Sequence, residues 1–124
     1  MLVIGAGAVR SYYGALLARD GHDVTMVARG PHLDALRSRG AVIVREADGR
    51  RWEAPVTAVG RPEPGPWDLA VVTVKSHDTL AAADALRGVL PDAAPVLSLQ
   101  NGVENAQRLG AALGHGRTLG GYAF

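Results

Sequence analysis

The sequence predicts an α/β fold, a mostly parallel sheet covered by helices on both faces. Three observations carry that prediction. Short apolar runs recur along the chain, at Leu2-Val3-Ile4, at DLAVVTV (68–74) and at PVLSL (95–99). Runs of this kind, without polar alternation, suit strands buried on both faces. Between them lie longer stretches with apolar residues at helical spacing, and strand alternating with helix is the pattern of a parallel crossover sheet.

Each element follows in order. Leu2-Val3-Ile4 reads as the first strand and runs into a glycine turn, GAGAVR (5–10). The next segment places Val9, Tyr12, Tyr13, Leu16 and Leu17 on one stripe, which predicts an amphipathic helix with Arg10 on its flank, stopped near Gly21. DVTMVA (23–28) reads as the second strand, and Arg29 and Gly30 follow it. Pro31 suits the first turn of a helix over 31–39 that Gly40 ends. At 41–56 the character changes. Val42 and Val44 alternate around Ile43, Asp48-Gly49 is a hairpin turn, and Trp52 lies on the returning strand. A Pro/Gly loop (60–67) leads to the strand over 68–74. A helix is expected over 77–89, with Leu80, Ala83, Leu86 and Leu90 on its apolar stripe. A strand at 95–99, a helix at 103–113 and a last strand beginning in RTLGGYAF complete the reading, with a single domain over 1–124.

Composition narrows the function classes. The chain has 124 residues, 48% of them hydrophobic and 20% charged, with a net charge of +1. That balance is the one expected of a soluble globular protein and offers nothing to a nucleic acid or a membrane. No apolar stretch approaches the length of a spanning helix, so a cytoplasmic location is expected. There is no cysteine, which removes disulfides and thiolate chemistry. The four histidines show no metal-ligand spacing, so no metal site is expected. No carboxylate pair or other catalytic set is identified. Lys75 is the only lysine among thirteen basic residues.

In open α/β sheets, ligands bind at the carboxyl ends of the strands. The predicted strand ends carry Gly5-Ala6-Gly7, then Arg29, then Lys75, then Gln100-Asn101-Gly102. A glycine turn, two cations and an amide on one edge describe an anion-binding crevice. The glycines suit a tight turn and close approach to a pyrophosphate, and the helix starting near Ala8 offers free N–H groups. The fold expected is therefore Rossmann-like and doubly wound, with a β-hairpin inserted after the second helix. NAD sites place an acid at the end of the second strand. Ala28-Arg29-Gly30 has none there, and a guanidinium suits a 2′-phosphate, so the cofactor expected is NADP.

GAGAV, YYGALLARDGHDVTMVAR, DLAVVTVKS and LSLQNGVEN together resemble the N-terminal domain of ketopantoate reductases (2-dehydropantoate 2-reductases). The resemblance covers essentially the whole chain. It implies NADPH-dependent reduction of 2-dehydropantoate, a small 2-oxo acid, to (R)-pantoate in pantothenate and coenzyme A biosynthesis. By the same resemblance Gly5, Ala6, Gly7, Ala8, Val9 and Arg10 line the pyrophosphate, and Arg29 faces the adenosine phosphate. Lys75 and Asn101 then stand near the nicotinamide, and Asn101 also faces the substrate. Family members usually have glycine where this chain has Arg10. They also continue into a helical C-terminal domain that supplies a lysine as general acid. Residues 1–124 alone are therefore expected to bind NADPH weakly and to turn over ketopantoate negligibly. A reductase of another 2-oxo acid, a non-catalytic dinucleotide-binding module and a degenerate remnant are the alternative readings.

Overall fold

A computed structural model describes residues 1–5, 7–100 and 103–121. The main sheet has six strands, β1 (Leu2–Gly5), β2 (Thr25–Val27), β5 (Thr57–Val59), β6 (Ala70–Thr73), β7 (Val96–Ser98) and β8 (Thr118–Gly120). Their order is β5-β2-β1-β6-β7-β8, and every neighbouring pair is parallel. The chain builds outward from β1 to β5, returns to β6 on the other side of β1, and builds outward again. That reversal is the switch point of a doubly wound fold. β3 (Ala41–Arg45) and β4 (Arg51–Pro55) form the expected hairpin as a separate antiparallel pair.

Side chains alternate across the sheet, so each strand feeds two cores. Leu2, Ile4, Ala70, Val72 and Val96 face α3 (Thr79–Leu86) and α4 (Val103–Leu113). Val3, Met26 and Val71 face α1 (Gly7–Arg19), α2 (Gly30–Arg39) and the hairpin. The hairpin lies against α1, where the Arg19 guanidinium stacks 4.1 Å from the centre of the Trp52 ring.

Four points of the sequence reading need correction. The stripe predicted for α1 is not its buried face. Val9 is 38% exposed and Tyr12 41%, while Arg10, Gly14, Ala15 and Ala18 are buried. Close approach to the sheet selects the small residues: a Cβ on Gly14 would stand 3.3 Å from the Met26 sulfur. Likewise α3 buries Thr79, Ala82, Ala83 and Leu86, and leaves Leu80 exposed. It is also shorter than expected, because Ser76–Asp78 form a separate 3-10 turn. Finally, β5 was not anticipated; three residues directly after Pro55-Val56 are too few to show a period.

Candidate functional site

The carboxyl ends of β1, β2, β6 and β7 share one edge, and the glycine turn sits at its middle. Gly5 and Gly7 are there for different reasons. Gly5 is paired with Thr73 across the β1–β6 ladder, and a Cβ on it would drive into the Thr73 side chain and backbone. Its smallness therefore serves strand packing as well as the turn. Gly7 has φ +69°, a left-handed conformation that favours glycine, with nothing within 4 Å of a Cβ. It leaves the start of α1 open to a ligand.

Arg10 is the largest departure from the sequence reading. It lies in the first turn of α1, on the row that runs through Gly14 into the sheet, and is only 5% exposed. Its Nη1 donates to the carbonyl oxygens of Gly5 at 2.6 Å and Val27 at 2.9 Å. The side chain thus ties the ends of β1 and β2 together instead of lying on the helix flank. Burial lowers its pKa, although a guanidinium keeps its proton under any ordinary condition. Its buried Nε has no hydrogen-bond partner.

Among the described residues, two cavities are seen along this edge. A cationic pocket of about 340 Å³ is lined by Gly5, Gly7, Arg10, Arg29 and His32. No carboxylate lines it among the described residues. Burial and, second, the charge of Arg10 lower the His32 pKa from its ordinary value. A narrower cleft of about 230 Å³ is lined by Ile4, Gly5, Arg29, Val74, Asp78, Ala81, Ala82 and Ala85. Gly5 and Arg29 are common to both. Arg29 reaches this position as the extended, exposed residue two beyond the end of β2, where it caps the start of α2.

Beyond the cleft, Lys75 is exposed and leads into the 3-10 turn after β6. Gln100, after β7, is buried and roots a chain of hydrogen bonds. Its Nε2 donates to the Val74 carbonyl at 3.0 Å and to Thr79 Oγ1 at 2.8 Å. Ser98 donates to Gln100 Oε1, Thr79 donates to Asn105 Oδ1, and Asn105 Nδ2 donates to Ser76 Oγ, each at 3.0 Å. This network fixes the ends of β6 and β7 to the first turns of α3 and α4.

The structure thus brings Gly5, Gly7, Arg10 and Arg29 around one pocket. Ala8 and Val9 are exposed at the start of α1, and Lys75 lies past the cleft, so these three stand outside both linings. Ala6 and Asn101 lie outside the described residues. His32, Asp78, Thr79 and Asn105 were missed. Each stands four to six residues beyond a predicted strand end, and that proximity was the available signal.

A doubly wound parallel sheet with a glycine turn and cations on its carboxyl edge defines a Rossmann-like domain. The family follows from comparison. A model of the ketopantoate reductase PanE/ApbA family matches residues 1–124, and the chain belongs to that family. It is 37% identical over 119 residues to a 2-dehydropantoate 2-reductase of Pyrococcus horikoshii, a match that covers 96% of this chain and 38% of that protein. With a counterpart from Archaeoglobus fulgidus the identity is 41% over 107 residues, covering 86% of this chain and 34% of that protein. The crystal structure of 2-dehydropantoate 2-reductase from Geobacter metallireducens superposes with a TM-score of 0.86 at 33% identity, over 100% of this chain and 42% of that one. The chain therefore spans well under half the length of these relatives. Among the described residues, no helix is long and apolar enough to cross a membrane.

Proposed function

We propose that residues 1–124 form the NADP-binding domain of an enzyme that reduces 2-dehydropantoate to (R)-pantoate with NADPH. The observation that carries this reading is the placement of Arg29. It stands just past the end of β2, where a diol-binding acid would stand in an NAD site, and it walls both cavities on the carboxyl edge.

The residues present fit the cofactor. The unpaired N–H groups at the open start of α1 suit a pyrophosphate. Arg29, with His32 and the buried charge of Arg10 behind it, suits the 2′-phosphate of the adenosine. The alanine-lined cleft suits the flat adenine ring, with the aliphatic part of Arg29 beside it. Lys75 and Asn101 are assigned to the nicotinamide side, and Asn101 also to the substrate, by the family resemblance. When bound, the reduced nicotinamide supplies a hydride to the keto carbon. This chain's task is to hold and orient that donor. We assign protonation of the forming alkoxide to the helical part of the family, so a preparation of residues 1–124 is expected to show negligible turnover.

The substrate is tested by following NADPH oxidation in the full-length protein with ketopantoate and with other small 2-oxo acids. The reading predicts that ketopantoate gives the highest kcat/KM. Preference for another 2-oxo acid would keep the cofactor assignment and replace the substrate.

A further inference from the structure

The hydrogen bonds around Gln100 have a direction, and it ends at a hydroxyl that the proposed function does not use. The Val74 carbonyl can only accept, so Gln100 must present its Nε2 to it. The same NH2 then donates to Thr79, and the Thr79 proton goes to Asn105 Oδ1. That leaves the Asn105 NH2 to donate to Ser76 Oγ. Thr79, Gln100, Ser98 and Asn105 are all buried, so this polarity is held away from water, where such chains reinforce one another. Ser76 therefore receives a hydrogen bond from inside the protein. Ser76 is exposed, and its own proton has no acceptor among the described residues, which leaves it to solvent or a ligand.

The location of Ser76 suggests what that proton meets. It follows Lys75 at the end of β6, and Asn105 ties it to the first turn of α4 beside β7. Arg29 and the cationic pocket stand at the ends of β1 and β2. β2 and β6 lie two strand positions apart, roughly 10 Å at the usual spacing, and Ser76 stands three residues past the end of β6. A dinucleotide with its adenosine phosphate at Arg29 and its axis along this edge would bring its other end to Ser76.

We propose that Ser76 donates a hydrogen bond to the carboxamide oxygen of the nicotinamide, and that Thr79 and Asn105 are positioning residues that aim it. This rests on the NADP reading above. The test compares two ligands on the chain: NADPH, and 2′-phospho-ADP-ribose, which lacks the nicotinamide. Ser76→Ala should weaken NADPH about 3- to 10-fold, the size of one hydrogen bond, and leave 2′-phospho-ADP-ribose unchanged. Ser76→Thr, which keeps the hydroxyl, should restore NADPH affinity. Thr79→Val removes the Thr79 hydroxyl from Asn105 Oδ1 and so loosens the amide that aims Ser76. That variant should show the same selective loss, Thr79→Ser should recover it, and the double variant Ser76→Ala/Thr79→Val should be no worse than Ser76→Ala alone. Equal loss for both ligands, or no loss in Ser76→Ala, would overturn the proposal while the cofactor reading stands. A parent chain that binds neither ligand would overturn both.

Discussion

At Gly5 the first and sixth strands approach so closely that one methyl group decides the fit. Gly5→Ala should lower stability by about 1–3 kcal/mol, the usual cost of overpacking, and Thr73→Ala should relieve part of it. Denaturant midpoints of the two single variants and the double variant test this; additive losses would contradict it. Arg10 is a tie between strand ends before it is anything else. Arg10→Gly removes a charged donor from two carbonyls, so a loss of about 1–3 kcal/mol is expected. Its NADPH affinity should not improve, and tighter binding would show that the arginine obstructs the site. His32 reports on the charge of the pocket. Its folded pKa lies below the ordinary 6.5, so the unfolded chain takes up the proton more readily. The folded state therefore keeps its full stability above about 6.5 and loses some as pH falls through the lowered value. In NMR titrations the His32 ring should titrate below 6.5 in the free protein, and higher once 2′-AMP places a phosphate beside it. A midpoint that ignores 2′-AMP would remove His32 from the site.

Among the elements, the helices show how far hydropathy carries. Their existence and approximate ends were legible in the apolar spacing of 9–17 and in the stops at Gly21 and Gly40. The face each presents was not. In α1 the large side chains straddle the contact while Gly14, Ala15 and Ala18 make it, because a helix lies closest to a sheet where its residues are smallest. A scan that scores bulk and apolarity selects the wrong row. Tyr12→Ser should therefore change stability by no more than about 0.5 kcal/mol, whereas Ala15→Leu should cost about 1–3 kcal/mol. Thermal unfolding of the two variants checks the assignment, and the opposite order would restore the predicted stripe. The same limit hid the Thr79–Gln100–Asn105 network. Polar residues carry no hydropathy signal for burial, and only their tertiary partners explain why they are inside.

For the whole molecule, the alternation of strands and helices was enough to read the doubly wound sheet and its separate hairpin. The switch point between β1 and β6 follows from that alternation, and it gathers residues far apart in sequence onto one edge. The places of Gly5 and Arg29 beside the pocket were legible because each sits at or next to a predicted strand end, whereas Lys75, read the same way, stands outside both linings. Arg10 was not, since its burial depends on carbonyls supplied by two different strands. The chain belongs to the ketopantoate reductase family and matches 34–42% of the length of the relatives described above. On the function proposed above, its carboxyl edge is built for a dinucleotide bearing a 2′-phosphate. Equilibrium titration with NADPH and NADH, followed by nicotinamide fluorescence, tests it most directly. NADPH should bind at least about tenfold more tightly, as expected for a charge-assisted phosphate contact worth about 1.4 kcal/mol or more, and Arg29→Ala should abolish that preference. Equal affinities, a preference for NADH, or a preference that survives Arg29→Ala would contradict the claim.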